Sequence, residues 1–275
     1  MGSEMCIRDS FGTVANADCN IKSGSINILA NDFPALRTFV ETAKGCKGSA
    51  DFKVTHSSEH NKIAVPALTA NPSEFSARIA ANSSIVPLMN QDLIRPLDDL
   101  VKKHGKDLKK NQLITIDRKI MAVAFMANSQ HLFSRTDILK KAGVDGVPSS
   151  VEEMVAAAGK IRAAGIMEHP IAMNMKVGWN VGEVFNLFFF ANGGELFKKG
   201  SAEPNVNSAA GIAALNSVKS LLEYTHPDHL SQASNETQAL WEGGKVAMAI
   251  MWGCLLYTSD AADDMQCVDL GGRRI

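Results

Sequence analysis

His56, Glu59 and His60 have the spacing that most resembles a catalytic motif, because they stand in the order His-x-x-Glu-His. In one class of zinc peptidases that order provides two imidazole ligands for the metal and a glutamate that acts as general base. The chemistry requires both imidazoles on one face of a helix. Here His56 ends a predicted strand and Glu59 begins a predicted helix, so we expect no zinc site. A secreted zinc hydrolase is kept only as an alternative function of a different class.

Other catalytic signatures are absent from the sequence. No nucleophile elbow, phosphate-binding loop or dinucleotide-binding fingerprint occurs. The carboxylate pairs at 98–99 and 152–153 fall on solvated faces of predicted helices, and the histidines at 226 and 229 fall in a predicted exposed turn. We therefore predict no catalytic residue, no metal and no cofactor, and we predict that the chain is not an enzyme.

Side chains suited to binding a polar ligand follow or end several predicted strands. In open α/β sheets, ligands bind beyond the carboxyl ends of the strands. Planar amides and carboxylates hydrogen-bond hydroxyl groups, and an indole face stacks on the C–H face of a sugar ring. We expect Trp241, which lies in a predicted helix, to belong to the core instead. The predicted ligand-binding residues are Asn31, Asp32, Asn82, Ser83, Asn128, Trp179, Asn180 and Trp252.

The elements that must position these side chains alternate between strand and helix, which indicates an α/β fold with a largely parallel sheet. Helix starts are marked by Thr136, a predicted cap, and by Ser149 and Ser150, each followed three residues later by glutamate. Strands are predicted at 25–30, 51–56, 75–81, 120–125, 131–134, 170–174 and 245–252. Helices are predicted at 34–44, 59–68, 97–101, 179–192 and 208–224, while one further helix begins at 137 and another ends at 165.

Three stretches, taken in order, resemble one protein family. Residues 122–143 contain A-V-A-F, then N-S, then L-F-S-R-T-D-I-L-K-K-A-G. Residues 185–196 match F-x-x-x-x-x-A-N-G-G-E-L, and residues 239–253 match A-L-W-E-G-K-V-A-M-A-I-x-W/G with one extra glycine. The pattern resembles the extracytoplasmic solute-binding proteins of ABC importers, in the sugar-binding branch similar to maltose-binding protein. The family string begins G-V-P-F where this chain has alanine in place of both glycine and proline.

The resemblance implies a two-lobed periplasmic-binding-protein architecture with a hinge crossover. The first α/β lobe would span 18–127 and the second 128–253. Family members are longer, and their chain returns to the first lobe after the third stretch. We therefore expect the C-terminal portion to be missing and the first lobe to be incomplete. The implied function is capture of a carbohydrate between the lobes and its delivery to an ABC transporter permease by an exported, monomeric protein. Another polar solute, such as a polyol or glycerol phosphate, is the alternative ligand.

The two ends of the chain do not continue this pattern. Residues 4–10 translate one strand of a sequencing-adapter oligonucleotide, and residues 254–259 translate the opposite strand. We therefore interpret 1–10 and 254–275 as non-native adapter translation. Residues 11–17 end in Ala-Asn-Ala, a cleavage pattern typical of the end of a signal peptide. With the resemblance, they predict export to the periplasm or another extracytoplasmic compartment.

Net charge, hydropathy and cysteine positions indicate which partners, membrane segments and disulfides to expect. The formal net charge of −1 gives no reason to expect nucleic acid or an anionic membrane as a partner. No apolar run reaches the ~18 residues that a transmembrane helix needs. Cys19 precedes the first predicted strand, and Cys46 follows the helix that runs back beside it, so both fall at one end of the lobe. In an oxidising compartment we predict a disulfide between them.

Overall fold

The computed structural model describes residues 23–46, 48 and 50–255, and the chain divides into two compact units, Met1–Ala127 and Asn128–Ile275. Each unit contains its own three-stranded sheet and its own apolar clusters. Within the described residues, every helix is too short or too polar to cross a lipid bilayer.

The first unit is built on a parallel sheet with strand order β2-β1-β3. The strands are β1 (Ser25–Ala30), β2 (Asp51–His56) and β3 (Ala77–Arg78), and the helices between them are α1 (Pro34–Lys44) and α2 (His60–Thr69). Parallel neighbours require such crossovers, because a tight turn can join only antiparallel strands. The strands predicted at 25–30 and 51–56 and the helix predicted at 34–44 are confirmed.

The central strand of this sheet is covered on both faces. Leu29 and Ala30 are both fully buried, and as consecutive strand residues they point to opposite faces. Leu29 packs in a cluster with Ala64 of α2, whereas Ala30 packs in a cluster with Leu36 and Val40 of α1. Full burial of one leucine side chain contributes about 1.5–3 kcal/mol. The two crossover helices therefore hold β1 between them.

The strand predicted at 75–81 is wrong in extent, because only Ala77–Arg78 pairs with β1. A local turn precedes it, in which the Ser73 hydroxyl donates to the Phe75 carbonyl at 3.0 Å. The Phe75 ring is buried in the same cluster as Leu29. Phe75 therefore packs in the core two residues before the chain joins the sheet at Ala77.

An antiparallel hairpin of β4 (Leu113–Ile116) and β5 (Lys119–Val123) follows α3 (Ile85–Met89) and α4 (Asp98–His104). Asp117 and Arg118 join the strands with φ of 49° and 64°, the left-handed backbone that two-residue hairpin turns require. The sequence did not predict β4, because no glycine marks this turn. The strand predicted at 120–125 corresponds to β5.

The second unit has a mixed sheet with strand order β6-β8-β7. β7 (Ile171–Met173) runs parallel to β8 (Met248–Trp252), whereas β6 (Gln130–Ser134) runs antiparallel to β8. The expectation of a largely parallel sheet is wrong for β6, because β6 begins opposite the residue at which β8 ends. The helices of this unit are α5 (Thr136–Lys141), α6 (Val151–Ala163), α7 (Trp179–Ala191), α8 (Ala209–Leu222) and α9 (Ser234–Glu242).

The two faces of the second sheet bury different apolar clusters. Met173 and Met248 belong to the larger cluster, which also contains Phe189 of α7 and residues of α6 and α8. The alternate residues Ala249 and Met251 belong to a smaller cluster, against which side chains of α9 pack. Because successive strand residues point to opposite faces, β8 is buried on both sides. This burial explains why it reads as a continuous apolar run.

Of the helix caps predicted in the second unit, the one at Ser150 is confirmed and the one at Thr136 is wrong. The Ser150 hydroxyl accepts the Glu153 N–H at 3.1 Å, and the Glu153 carboxylate accepts the Ser149 N–H at 2.7 Å. The prediction that Thr136 caps α5 is wrong, because Thr136 is the first helical residue and Arg135 occupies the cap position without a side-chain cap bond.

Candidate functional site

Two of the predicted polar pairs follow neighbouring parallel strands of the first unit. Asn31 and Asp32 come directly after β1, and Asn82 and Ser83 lie in a 3₁₀ turn shortly after β3. Because β1 and β3 are parallel, their carboxyl ends meet at the same edge of the sheet. Asn82 and Ser83 are exposed, and Asn31 and Asp32 are half-buried.

The Asp32 carboxylate is already paired within the first unit. Arg37 of α1 donates from Nε to Oδ1 at 2.6 Å and from Nη2 to Oδ2 at 2.9 Å. This two-bond contact lowers the pKa of Asp32, against the opposing effect of burial. The Asn31 side-chain oxygen accepts the Asp32 N–H at 2.8 Å. Asp32 is therefore an ionised, oriented acceptor rather than an acid with a proton to transfer.

The zinc-ligand interpretation of His56 and His60 has no support in the structure. His56 ends β2, and its Nδ1 lies 2.9 Å from the Asn31 carbonyl oxygen. His60 begins α2, is 8% exposed, and its Nδ1 lies 3.2 Å from the Ser57 carbonyl oxygen. Among the residues that the structure describes, no group of three or more His, Cys, Asp or Glu side chains is arranged to hold a metal ion.

The carboxyl edge of β8 gathers residues from three places in the second unit. Trp252 ends β8, and the antiparallel register places Gln130, the first residue of β6, directly opposite it. β7 ends at this same edge, because it is parallel to β8 and pairs Met173 with Ile250. We use the name indole edge for the start of β6 at Gln130, the ends of β7 and β8 at Met173 and Trp252 with the residues next to them, and the start of α7 at Trp179.

Trp179 and Trp252 stack on each other at the indole edge. Their ring centroids lie 5.7 Å apart with an angle of 20° between the planes. Trp179 is 48% exposed, and Trp252 is half-buried against the smaller apolar cluster. Gly178 precedes Trp179 with φ of 108° and ψ of −129°, a backbone conformation that favours glycine. Asn180, the next predicted ligand residue, is half-buried in the first turn of α7.

Asn128 contributes to the local structure of the same edge. Its side-chain Nδ2 donates to the Cys254 sulfur at 3.1 Å. Its side-chain Oδ1 accepts the Ser129 N–H at 3.1 Å and the Cys254 N–H at 3.3 Å. Burial raises the pKa of the Cys254 thiol, which the Asn128 contact partly offsets. The Asn128 side chain thus joins the start of β6 to the residues after β8.

Trp241, predicted to belong to the core, is half-buried in α9. It packs against the smaller apolar cluster, and its ring lies 6.1 Å from that of Phe133. Its ring contact is with Phe133, whereas Trp179 and Trp252 stack on each other.

The predicted disulfide involves a residue outside the described part of the chain. Cys46 is disulfide-bonded. Cys19 lies outside the described residues, so its pairing with Cys46 stays a prediction.

Gln130 and Asn174 are polar residues at the indole edge that the sequence did not single out as site residues. Both amide atoms of each side chain are shielded from solvent and have no hydrogen-bond partner. Asn174, one residue beyond β7, is fully buried. Close by, the Ser129 hydroxyl and His131 Nε2 lie 2.8 Å apart. Their position as polar residues at strand ends could have drawn attention to them in the sequence. Which polar residues are enclosed becomes visible only once the strand pairing is known.

In open α/β sheets, ligands bind beyond the carboxyl ends of the strands, which is where the indole edge lies. The profile of the family described as bacterial extracellular solute-binding protein matches residues 74–254, so the chain belongs to that family. This is a family of solute-binding proteins, not of enzymes. The α/β, two-lobed periplasmic-binding-protein fold predicted from the sequence is confirmed by similarity to solved structures.

Among solved structures, the chain is similar to an ABC transporter solute-binding protein from Agrobacterium radiobacter K84 in complex with ribitol. The TM-score is 0.73 at 18% identity, covering 84% of this chain and 61% of that chain. It is also similar to maltose-bound MalE3 of T. maritima, with a TM-score of 0.72 at 16% identity, covering 83% and 61% of the two chains.

A curated relative is an uncharacterized ABC transporter extracellular-binding protein of Pyrococcus horikoshii, 26% identical over 188 residues. That match covers 63% of this chain and 41% of the relative. The matched part of this chain thus spans less than half the length of this relative and about three fifths of the two solved structures.

Proposed function

We propose that this chain is the solute-capturing component of an ABC importer and that it binds a neutral carbohydrate at the indole edge of its second unit. The observation that supports this proposal most strongly is the stacked pair of Trp179 and Trp252 at the carboxyl edge of β8, with half of the Trp179 surface open. Indole faces are suited to the C–H face of a sugar ring, because both surfaces are apolar and flat.

Polar groups beside the indoles suit the hydroxyls of such a ligand. Asn180 follows Trp179 in α7, and Asn128 lies two residues before β6. Neutral amides donate and accept at once, as hydroxyl groups do, so they match an uncharged polyhydroxy ligand. Asn31, Asp32, Asn82 and Ser83 remain proposed ligand contacts of the first unit.

A polyol is the second candidate ligand. The solved relative with bound ribitol supports it, because a linear polyol, like a sugar, carries several neutral hydroxyl groups. A linear chain has no ring face to stack on an indole, so it depends more on the amides. Relative affinities for maltose and ribitol therefore separate the two candidates.

The test is calorimetric titration of the chain with maltose, ribitol and related mono- and disaccharides and polyols. Trp179→Ala and Trp252→Ala should each weaken binding of the best ligand about thirtyfold, since truncating a packed aromatic anchor typically costs ~2 kcal/mol. Trp241→Ala is the matched control: it should lower stability and leave affinity unchanged at a temperature where it is folded. Equal binding by the parent, Trp179→Ala and Trp252→Ala would contradict the proposed site.

Export and delivery to a membrane permease complete the proposal. The family description as extracellular supports export. Fractionation of cells that express the chain with its natural upstream sequence tests this part. Retention of the mature protein in the cytoplasm would contradict it.

A further inference from the structure

Gln130 is, with Asn174, one of two residues of the indole edge whose enclosed amides the proposed function leaves unexplained. Neither its amide nitrogen nor its amide oxygen contacts solvent or a hydrogen-bond partner. A side-chain amide can donate two hydrogen bonds and accept two, and an enclosed amide that makes none destabilises the folded chain. Such a group in a native structure calls for an explanation, and either a ligand or an ordered water would provide one.

The strand register places this amide beside the indoles. Gln130 pairs with Trp252 across the antiparallel β6–β8 ladder. Directly opposed residues of an antiparallel pair share one face of the sheet, with Cβ atoms about 4.5–5.5 Å apart. Trp252 in turn stacks on Trp179. Gln130 is thus the cross-strand neighbour of Trp252, one of the two stacked indoles.

Gln130, Leu132 and Ser134 are alternate residues of β6 and differ in their surroundings. Leu132, two residues further on, packs against the larger apolar cluster, and Ser134, four residues further on, pairs with Met248 at the opposite end of the β6–β8 ladder. Gln130 is the member of this row at the open end, and as a whole residue it is half-buried.

We infer that Gln130 is a specificity-determining residue of this site, whose amide hydrogen-bonds a hydroxyl group of the ligand that stacks on the indole pair. The inference rests on the proposed function and deepens it, because it assigns discrimination among neutral polyhydroxy ligands to one residue. A site that hydrogen-bonds a hydroxyl rejects the analogue that lacks it more strongly than an apolar surface does.

The test compares Gln130→Leu with the parent chain, and Ser134→Ala serves as the matched control. Ser134 lies on the same strand and face, and its hydroxyl is likewise enclosed and without a partner, but it is remote from the edge. Calorimetric titration uses the panel ligand that the parent binds most tightly, together with its monodeoxy derivatives. Melting temperatures are measured without ligand.

We expect Gln130→Leu to bind the full ligand at least about tenfold more weakly than the parent, and Ser134→Ala to bind it equally well. One monodeoxy derivative should bind weakly to the parent and should bind Gln130→Leu as well as the full ligand does. The unliganded Gln130→Leu chain should melt at the same temperature as the parent or higher, because no protein hydrogen bond is lost.

Parent-like affinity of Gln130→Leu would overturn the inference and assign an ordered water to the amide. A lower melting temperature of the unliganded variant would also overturn it, because Gln130 would then have a structural partner. If Trp179→Ala and Trp252→Ala weaken binding and Gln130→Leu does not, this inference fails and the proposed function stands. If the parent binds no member of the panel, both fail.

Discussion

His60 links the folding of the first unit to pH. Burial lowers its pKa below the usual value of 6.5, and the positive charge of Arg78 lowers it further, against the opposing effect of the Ser57 carbonyl. As the pH falls through 6.5, the unfolded chain therefore takes up the proton before the folded chain does. Stability is fully present above pH 6.5 and declines as the pH falls toward the folded-state pKa.

We predict that the free energy of unfolding decreases between pH 7.5 and 5.5 and that His60→Gln reduces this decrease. The effect of one such group is at most about 1.4 kcal/mol for each pH unit between the two pKa values. Urea unfolding followed by far-UV circular dichroism measures it. His104→Gln, which changes an exposed histidine of α4, is the control and should follow the parent. An equal pH slope for His60→Gln and the parent would contradict the prediction.

Single residues also show how far the candidate site could be predicted. Trp179 and Trp252 were predicted as site residues because Trp179 follows a predicted strand and Trp252 ends one, and both lie at the indole edge. Gln130 could not be predicted to face them, because that depends on antiparallel pairing of β6 with β8. The sequence pattern instead suggested a largely parallel sheet, since helices separate most of the strands.

At the level of elements, the N-terminus of α6 depends on one hydroxyl group. Ser150→Ala removes the acceptor for the Glu153 N–H, so we predict a loss of about 1 kcal/mol in the free energy of unfolding. Thr136→Ala is the matched control, because Thr136 lies inside α5 and makes no cap bond. Its effect should stay within about 0.5 kcal/mol in urea unfolding. Equal losses for the two variants would show that the Ser150 cap contributes nothing specific.

Two helical glycines give a second matched pair. A Cβ on Gly211, near the start of α8, would lie 2.0 Å from the Val206 carbonyl oxygen, whereas a Cβ on Gly182 of α7 would meet no atom within 4 Å. We predict that Gly211→Ala lowers the free energy of unfolding by about 1–3 kcal/mol. Gly182→Ala should raise it by roughly 0.5–1 kcal/mol, because alanine favours the helix.

Thermal and urea unfolding of both glycine variants and of the parent measure these changes in the free energy of unfolding. A stable Gly211→Ala chain with parent-like unfolding would mean that α8 does not approach the Val206 carbonyl as closely as described.

The elements that could be predicted are those in which local pattern and packing agree. β1, α1 and β2 begin and end where the alternation of apolar residues and the proline at the start of α1 predict. The β4–β5 hairpin was missed because its turn uses Asp117 and Arg118 in the left-handed conformation without a glycine. β8 starts at Met248 rather than at 245, because the Lys245 N–H still bonds the Leu240 carbonyl at the end of α9.

At the scale of the whole molecule, family membership depends on features spread over both units. The family profile begins in the first unit, before β3, and ends after β8 in the second. The similarity to solved structures extends over more than four fifths of the chain. No single short motif carries this assignment, which explains why the order and spacing of three stretches were needed to recognise it from the sequence.

Tryptophan fluorescence reports whether a neutral polyhydroxy ligand binds at the indole edge, because two of the indoles lie there. The chain has three tryptophans. Trp241→Phe, which keeps an aromatic ring beside Phe133, leaves emission from the stacked pair alone. Titrating this variant with the sugar and polyol panel should give a saturable change in emission for at least one ligand, at the affinity found by calorimetry. Saturable binding by calorimetry with no change in emission would place the ligand elsewhere, and binding of no ligand at all would contradict the proposed function.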